Sequence, residues 1–337
     1  VRLMSKGFNI AIVGATGAVG VEMMETLEKR NFPVKNLRLL ASARSVGKIM
    51  KFKGENIKVE ELRADSFQGI EIGLFSAGAS RSKEFAPFAV KAGTVVVDNS
   101  SAFRMDDDVP LVVPEVNPED IKKHKGIIAN PNCSTIIMLV PVFPLHKVKG
   151  LKRLIASTYQ AASGAGAQAM EELKIQSRDI LEGRIPQISV LPQQIGFNLF
   201  PHIDVFLEND FTKEEMKMLF ESMKIMHHPS LKVNCTCVRV PVLRAHSESL
   251  LLEFEQDITP EEAKAILSKA PGVTLVDDIK NKKYPMPIDA SGKYNILAGR
   301  IRQDISRDDK KGLTMFISGD QLLKGAALNA VQIAELL

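Results

Sequence analysis

Hydrophobic positions along the N-terminal part of the chain switch between two rhythms. Phe8 to Val13 is a short apolar run suited to a strand, and Val21 to Arg30 carries Met23, Met24 and Leu27 at helical spacing. Between them lies the glycine-rich segment Gly14 to Gly20. Further apolar strands are predicted at Leu37 to Ala41, Glu71 to Ser76 and Thr94 to Asp98, each separated by a helical or loop stretch. Near-continuous apolar strands in such alternation predict a parallel sheet covered on both faces, an α/β first domain spanning residues 1–132.

After residue 132 the rhythm changes. Helices are expected at Asn132 to Leu145, Gln168 to Glu182, Thr212 to His227 and Pro260 to Lys269. Thr212 is a plausible N-cap with acids in the following turn. Strands are expected at Leu154 to Tyr159, Asn234 to Val240, Glu248 to Glu255, Asn295 to Gln303 and Leu313 to Ser318. The last four alternate or run apolar as antiparallel strands do, so residues 133–319 read as an α+β second domain. From Gly319 to Leu337 an amphipathic helix is expected, its part 320–337 packing back on the first domain. No internal repeat or low-complexity segment interrupts this order.

At 337 residues the chain has room for two domains of about 150 residues each. Its 45% hydrophobic and 25% charged residues exclude a disordered chain. The formal net charge of +4 comes from scattered residues and does not point to nucleic acid. The longest apolar stretch, Ile136 to Val142, contains Pro141 and is far shorter than the roughly 20 residues of a membrane helix. No signal-type core follows Val1 to Gly7, and Val1-Arg2-Leu3 before Met4 reads as an extended or misassigned start. Cys133, Cys235 and Cys237 are an odd set, which argues against a disulfide framework and for a reducing, cytoplasmic compartment.

Gly14-Ala15-Thr16-Gly17-Ala18-Val19-Gly20 lies between a predicted strand and a predicted helix, where glycines let backbone approach a pyrophosphate at the helix N-terminus. The spacing is G-x-x-G-x-x-G, which departs from the commonest dinucleotide fingerprint; a tight structural turn is the alternative. Some twenty residues on, where an NAD-binding chain offers an acid to the ribose, stand Ala41-Ser42-Ala43-Arg44-Ser45. A guanidinium flanked by hydroxyls suits a 2′-phosphate, so NADP is expected over NAD; a solvated loop arginine is the plain alternative.

Asn130-Pro131-Asn132-Cys133-Ser134-Thr135 precedes the apolar run from Ile136, which puts Cys133 in the first turn of a helix capped by Asn132. A helix N-terminus favours a thiolate, and nearby amides can bind an oxyanion; the competing reading is a buried, inert cysteine. Cys235 and Cys237 fall on one face of a predicted strand with no second ligand pair, so they read as packing and no metal is expected.

Together these segments resemble the aspartate-semialdehyde dehydrogenase family over essentially the whole chain. The likeness also rests on Asn99 to Arg104, Gln160 to Gly166, Glu214 to Lys217, Arg239 to His246, Gly319-Asp320-Gln321 and Lys324 to Ala327, all in the family's order. The resemblance implies a Rossmann-type NADP-binding domain joined to a catalytic and dimerisation domain similar to that of glyceraldehyde-3-phosphate dehydrogenase. It implies Cys133 as nucleophile, His246 as acid/base, and Gln160, Arg239 and Glu214 as substrate-binding residues. Arg104 and Lys217 match the phosphate-binding pair. Cofactor contacts fall on Gly14, Ala15, Thr16, Gly17, Ala18, Val19, Ser42, Ala43, Arg44 and Ser45, and nearer the nicotinamide on Ser163, Gly164 and Gln321.

The implied reaction is NADP-dependent conversion of L-4-aspartyl phosphate to L-aspartate 4-semialdehyde and phosphate through a cysteine thioester. It would serve biosynthesis of lysine or diaminopimelate, threonine, methionine and isoleucine, in a homodimer or a tetramer of two paired dimers. Arg239 and His246 are seven apart, so an unbroken strand would set them on opposite faces. Pro241 predicts a strand end near Val240 and a bend that brings both to one pocket. The rivals are N-acetyl-glutamyl-phosphate reductase, opposed by the Arg239 to His246 stretch, and a silent nucleotide-binding relative, opposed by the joint presence of Cys133 and His246.

Overall fold

A computed structural model describes residues 7–337, so the expectations about the start of the chain lie outside the described residues. The chain divides into two compact units, one running up to Asn132 and taking in Ala326–Leu337, the other Cys133–Gly325.

In the first unit the order is β1 (Phe8–Val13), α1 (Ala18–Lys29), β2 (Val34–Ala41), β3 (Ile49–Phe52), β4 (Glu55–Glu61), β5 (Ile72–Phe75), α2 (Ala79–Lys91), β6 (Val95–Asp98) and β7 (Ile127–Ala129). The seven-stranded sheet has the order β3-β4-β2-β1-β5-β6-β7. All its pairings are parallel except β3 with β4. Alternate residues of β1 serve opposite faces. Ile10 and Ile12 pack with Met23, Leu27 and the closing helix Leu328–Glu335, whereas Ala11 and Val13 pack with Phe75, Phe85 and Ala89. Covering both faces is what permits the unbroken apolar strands. The β3–β4 hairpin was not foreseen: Lys51-Phe52-Lys53-Gly54-Glu55 is too polar to read as a strand pair. Its two-residue turn uses Lys53 at φ 49° and Gly54 at φ 83°, the left-handed pair that suits the strand twist.

The second unit contains α3 (Cys133–Lys149), β8 (Leu151–Gln160), α4 (Ala167–Leu181), α5 (Lys213–Ile225), β9 (Lys232–Arg239), β10 (His246–Phe254), α6 (Pro260–Leu267), β11 (Val273–Leu275), α7 (Pro287–Ala290), β12 (Ile296–Gln303) and β13 (Gly312–Gly319). Its six strands follow the order β11-β12-β13-β10-β8-β9. In β10, His246 stands opposite Gly319, and a Cβ on Gly319 would lie 3.1 Å from Ile137. Helix α3 therefore covers the His246 face of the sheet. It is buried all round from Ser134 to Val142, as a helix apolar on every side must be.

Two expectations need correction. The second sheet is mixed: β9 runs parallel to β8 and β11 parallel to β12. The stretch from β8 to β9 holds α4 and α5, long enough for the crossover that parallel strands require. The closing segment is not one helix from Gly319. That glycine ends β13, a π-helical turn spans Leu323–Ala327, and the α-helix begins at Leu328.

Candidate active site

Cys133 is the first residue of α3, which sets its side chain at the end of a helix where backbone N–H groups lack intrahelical partners. It is half-buried. Gly325 packs directly on it, since a Cβ there would come within 2.9 Å of the Cys133 Cβ.

The strand carrying Arg239 ends at that residue, and Val242 to Ala245 turn the chain before β10 starts at His246. The turn closes by hydrogen bonds from Ala162 N–H to Val242 O at 2.8 Å and from Ser163 N–H to Leu243 O at 3.1 Å. Arg239 and His246 converge as the bend at Pro241 predicts: a Cβ on Gly164 would meet Arg239 Nη1 at 2.9 Å and His246 Nε2 at 3.0 Å. Arg239 Nη1 donates to Ala161 O at 2.7 Å, while its buried Nε has no protein acceptor. Burial works against its charge, opposed by the nearby charges of Glu214 and Cys133.

His246 is fully buried. Its Nδ1 accepts from Ala161 N–H at 3.0 Å, so the neutral ring carries its proton on Nε2. Burial first, and Arg239 second, hold the ring well below the usual histidine range. Just before it, Ala245 sits at φ 73°, a conformation rare outside glycine, with its N–H held by Gln321 Oε1 at 2.9 Å.

Gln160, at the end of β8, is oriented by Thr158, whose hydroxyl donates to Gln160 Oε1 at 3.0 Å. Its amide nitrogen is thereby turned toward Glu214 Oε1 at 3.3 Å and lies 3.5 Å from His246 Nε2. Glu214 and Lys217 share a face of α5, with Nζ 3.2 Å from Glu214 Oε2 and 2.6 Å from Asp204 Oδ2. Asp204, which sequence reasoning missed, makes the Lys217 ammonium a shared centre between two carboxylates. The helix itself starts with a capping box: Glu215 N–H donates to Thr212 Oγ1 and Thr212 N–H to Glu215 Oε2. Glu215 also accepts from Cys237 N–H at 2.9 Å, which ties α5 to β9.

Gln321 Nε2 donates to Ser163 Oγ, and both residues are buried. This pair braces the turn around Gly164. Cys235 and Cys237 are buried, and burial pushes both thiols far up, so they stay protonated and inert. Glu248, two residues past His246 on the same face of β10, is fully buried with no protein partner for either oxygen. Burial, reinforced by Glu214, raises its carboxyl well above the usual range and keeps it neutral. Glu248 carries no signal in the sequence beyond a charge in an alternating strand.

In the first unit the glycine loop leads from β1 into α1. Gly14, at φ 85°, would bring a Cβ within 2.4 Å of Ser76 O, and a Cβ on Gly20 would fall 2.3 Å from Gly14 O. Both positions exclude any larger residue. A cavity of about 500 Å³ opens here, lined by Gly14, Thr16 and Gly17, by Ala41 to Arg44, by Glu61 and Leu62, and by Ser76, Ala77 and Arg81. Its backbone cradle and its cations, Arg44 and Arg81, fit a dinucleotide. Ser45 Oγ lies 3.1 Å from Thr16 Oγ1, joining the two loops, whereas Ala15, Ala18 and Val19 do not line the cavity. Glu61 and Arg81 were not foreseen, because β4 and α2 bring them in from distant sequence; Glu61 stands beside Ala41 in register. Arg104 is buried in this unit, its Nε donating to Asn130 O at 2.9 Å and Nη2 to Asn99 O at 3.0 Å.

Family models match both parts of the chain: "Semialdehyde dehydrogenase, NAD binding domain" over residues 9–124 and "Semialdehyde dehydrogenase, dimerisation domain" over 122–324. The aspartate-semialdehyde dehydrogenase of Aquifex aeolicus is 56% identical over 98% of each chain, and that of Synechocystis 55% identical over 99% of this chain and 98% of its own. This chain belongs to the aspartate-semialdehyde dehydrogenase family. Aspartate semialdehyde dehydrogenase II from Vibrio cholerae, solved also complexed with ASA, superposes with a TM-score of 0.96 at 46% identity, covering 98% or more of both chains. The aspartate semialdehyde dehydrogenase of Candida albicans, solved with NADP, has a TM-score of 0.75 at 26% identity over 98% of each chain. As a member of the aspartate-semialdehyde dehydrogenase family, the chain pairs an NAD(P)-binding domain with a dimerisation domain. Among the described residues no helix is long and apolar enough to cross a membrane.

Proposed function

We propose that the chain carries out the NADP-dependent reductive dephosphorylation of L-4-aspartyl phosphate to L-aspartate 4-semialdehyde through a thioester on Cys133. The observation that carries this reading is the convergence of Arg239 and His246 on Gly164, with Cys133 within electrostatic reach of Arg239. Arg239 takes the substrate α-carboxylate; its partnerless Nε is a donor awaiting an anion. Gln160 and Glu214 position the amino-acid end, and Lys217 and Arg104 take the phosphoryl group. Cys133 attacks the acyl phosphate, the C–S bond forms, and the C–O bond to phosphate breaks. Backbone N–H groups at the start of α3 stabilise the tetrahedral oxyanion.

A reduced nicotinamide, when bound, supplies the hydride that converts the thioester to a thiohemiacetal. Its oxyanion collapses to the aldehyde, and Cys133 departs as a thiolate. His246, neutral with its proton on Nε2, serves as a hydrogen-bond donor to the substrate oxygen during both tetrahedral stages. One proton from solvent ends on the released phosphate, which balances the reaction. Gly14, Thr16 and Gly17, with Ser42, Ala43 and Arg44, hold the adenosine half, with Arg44 on the 2′-phosphate. Ser163, Gly164 and Gln321 serve the nicotinamide end.

The chain acts as a homodimer, in line with its dimerisation-domain match and with Leu181, Ile185, Phe197, Leu199 and Phe206 exposed at 77, 91, 63, 56 and 57%. Its product feeds lysine or diaminopimelate, threonine, methionine and isoleucine synthesis in the cytoplasm. A steady-state assay of aspartate semialdehyde plus phosphate tests the reading. Phosphate-dependent reduction of NADP, well ahead of NAD, is expected; oxidation without phosphate dependence would overturn it.

A further inference from the structure

Arg81 belongs to none of the segments that make up the dinucleotide fingerprint, yet it lines the cavity at the glycine loop. The walls of that cavity differ in chemistry. Gly14 and Gly17 offer backbone to phosphates, and Ser42 with Arg44 faces the ribose 2′ position. The rest of the lining includes Glu61, Leu62, Ser76, Ala77 and Arg81. In the adenosine half of a dinucleotide, phosphate, ribose and base follow in a fixed order. With the first two placed, the base falls to the rest of the lining, where Arg81 is the planar cation that Arg44 does not account for.

We propose that the Arg81 guanidinium stacks on the purine ring of the bound dinucleotide, and so sets affinity for the adenine end independently of the 2′-phosphate. A guanidinium is planar, weakly hydrated and suited to stacking on an aromatic face. On its own helix, Arg81 Nη1 donates to Glu84 Oε2 at 3.1 Å, and its guanidinium carbon lies 6.0 Å from the Phe85 ring centroid. The ion pair is half-exposed on both sides, so it orients the side chain without withholding it from a ligand. This inference rests on the reading that the cavity holds a dinucleotide.

The test is an NMR titration of the full chain with 5′-AMP and with 2′,5′-ADP, in wild type, Arg81→Ala, Arg81→Lys and Arg44→Ala. Arg81→Ala should weaken both ligands by the same factor, about fivefold or more for a lost cation–π stack. Arg81→Lys should lose nearly as much, since lysine keeps the charge and lacks the plane. Full affinity in Arg81→Lys, a loss confined to 2′,5′-ADP, or no loss in Arg81→Ala would each overturn the proposal. The NADP reading is judged separately: equal wild-type affinity for the two ligands removes it, while the Arg81 effect is still read with 5′-AMP.

Discussion

His246 Nδ1 accepts a hydrogen bond from the backbone N–H of Ala161 at 3.0 Å, which leaves Nε2 as the protonated nitrogen of the neutral ring. A second proton on Nδ1 would face that same N–H, so the imidazolium is opposed by the bond as well as by burial and Arg239. The histidine that the family resemblance implies as acid/base is thus a neutral ring with its proton on Nε2.

A pH profile checks this. Because the folded ring resists protonation to well below the usual histidine value, kcat/KM should show no loss at the pH where an ordinary histidine titrates, about 6.5. The same shift affects stability. Between the folded value and about 6.5 the unfolded chain binds a proton that the folded chain refuses, so stability falls as pH drops through this window. A kcat/KM limb near 6.5 that disappears in His246→Gln would contradict the neutral-donor role.

Gly164 packs against both functional side chains of the turn, the Arg239 guanidinium and the neutral His246 ring. In Gly164→Ala the new methyl would press on Arg239 Nη1 and His246 Nε2, at 2.9 and 3.0 Å. Turnover should drop by about a hundredfold, as expected of a displacement near 1 Å at reacting groups, with circular dichroism unchanged. Activity within threefold of wild type would show that Arg239 and His246 do not need their present spacing.

Arg44 has no ion pair among the described residues and lines the dinucleotide cavity. Arg44→Ala should raise KM for NADP by about tenfold or more while moving KM for NAD little, since only NADP presents a 2′-phosphate for a charge-assisted bond. Equal losses for the two coenzymes in steady-state kinetics would remove Arg44 from that role.

Glu248 runs against the histidine in its linkage. Its folded carboxyl holds a proton far above the pH at which the unfolded chain gives one up, so its contribution to stability is present below about 4.3 and is lost as pH rises toward the folded value. Glu248→Gln removes that titration and keeps the shape. Its melting temperature should exceed wild type by a margin that grows from pH 5 to pH 8; a constant margin, or a deficit, would mean that Glu248 is ionised in the folded chain.

Local chemistry made part of this molecule legible in advance. The glycine loop, the Thr212 cap and the bend at Pro241 each follow from backbone constraints that act within a few residues. Cys133 at the start of a helix is of the same kind. What escaped depends on pairing across long separations. The parallel partnership of β8 and β9 leaves no local trace, because alternation reports which face is buried and not the direction of the neighbour. Arg81 and Glu61 enter the cavity from elements whose position is set by the sheet order, and Asp204 reaches Lys217 from an irregular loop. The orphaned carboxyl of Glu248 becomes visible only when α3 covers the face of β10 that carries it.

The covalent step is the centre of the proposed chemistry, and intact-protein mass spectrometry reads it directly. With aspartate semialdehyde and NADP supplied and phosphate withheld, an acyl group should accumulate on the chain with a burst of about one reduced coenzyme per site. Peptide mapping should place the adduct on Cys133. Adding phosphate should discharge it, and Cys133→Ala should form none while still binding 2′,5′-ADP. Phosphate-dependent turnover by Cys133→Ala, or an adduct on Cys235, Cys237 or any other residue, would contradict a thioester at Cys133.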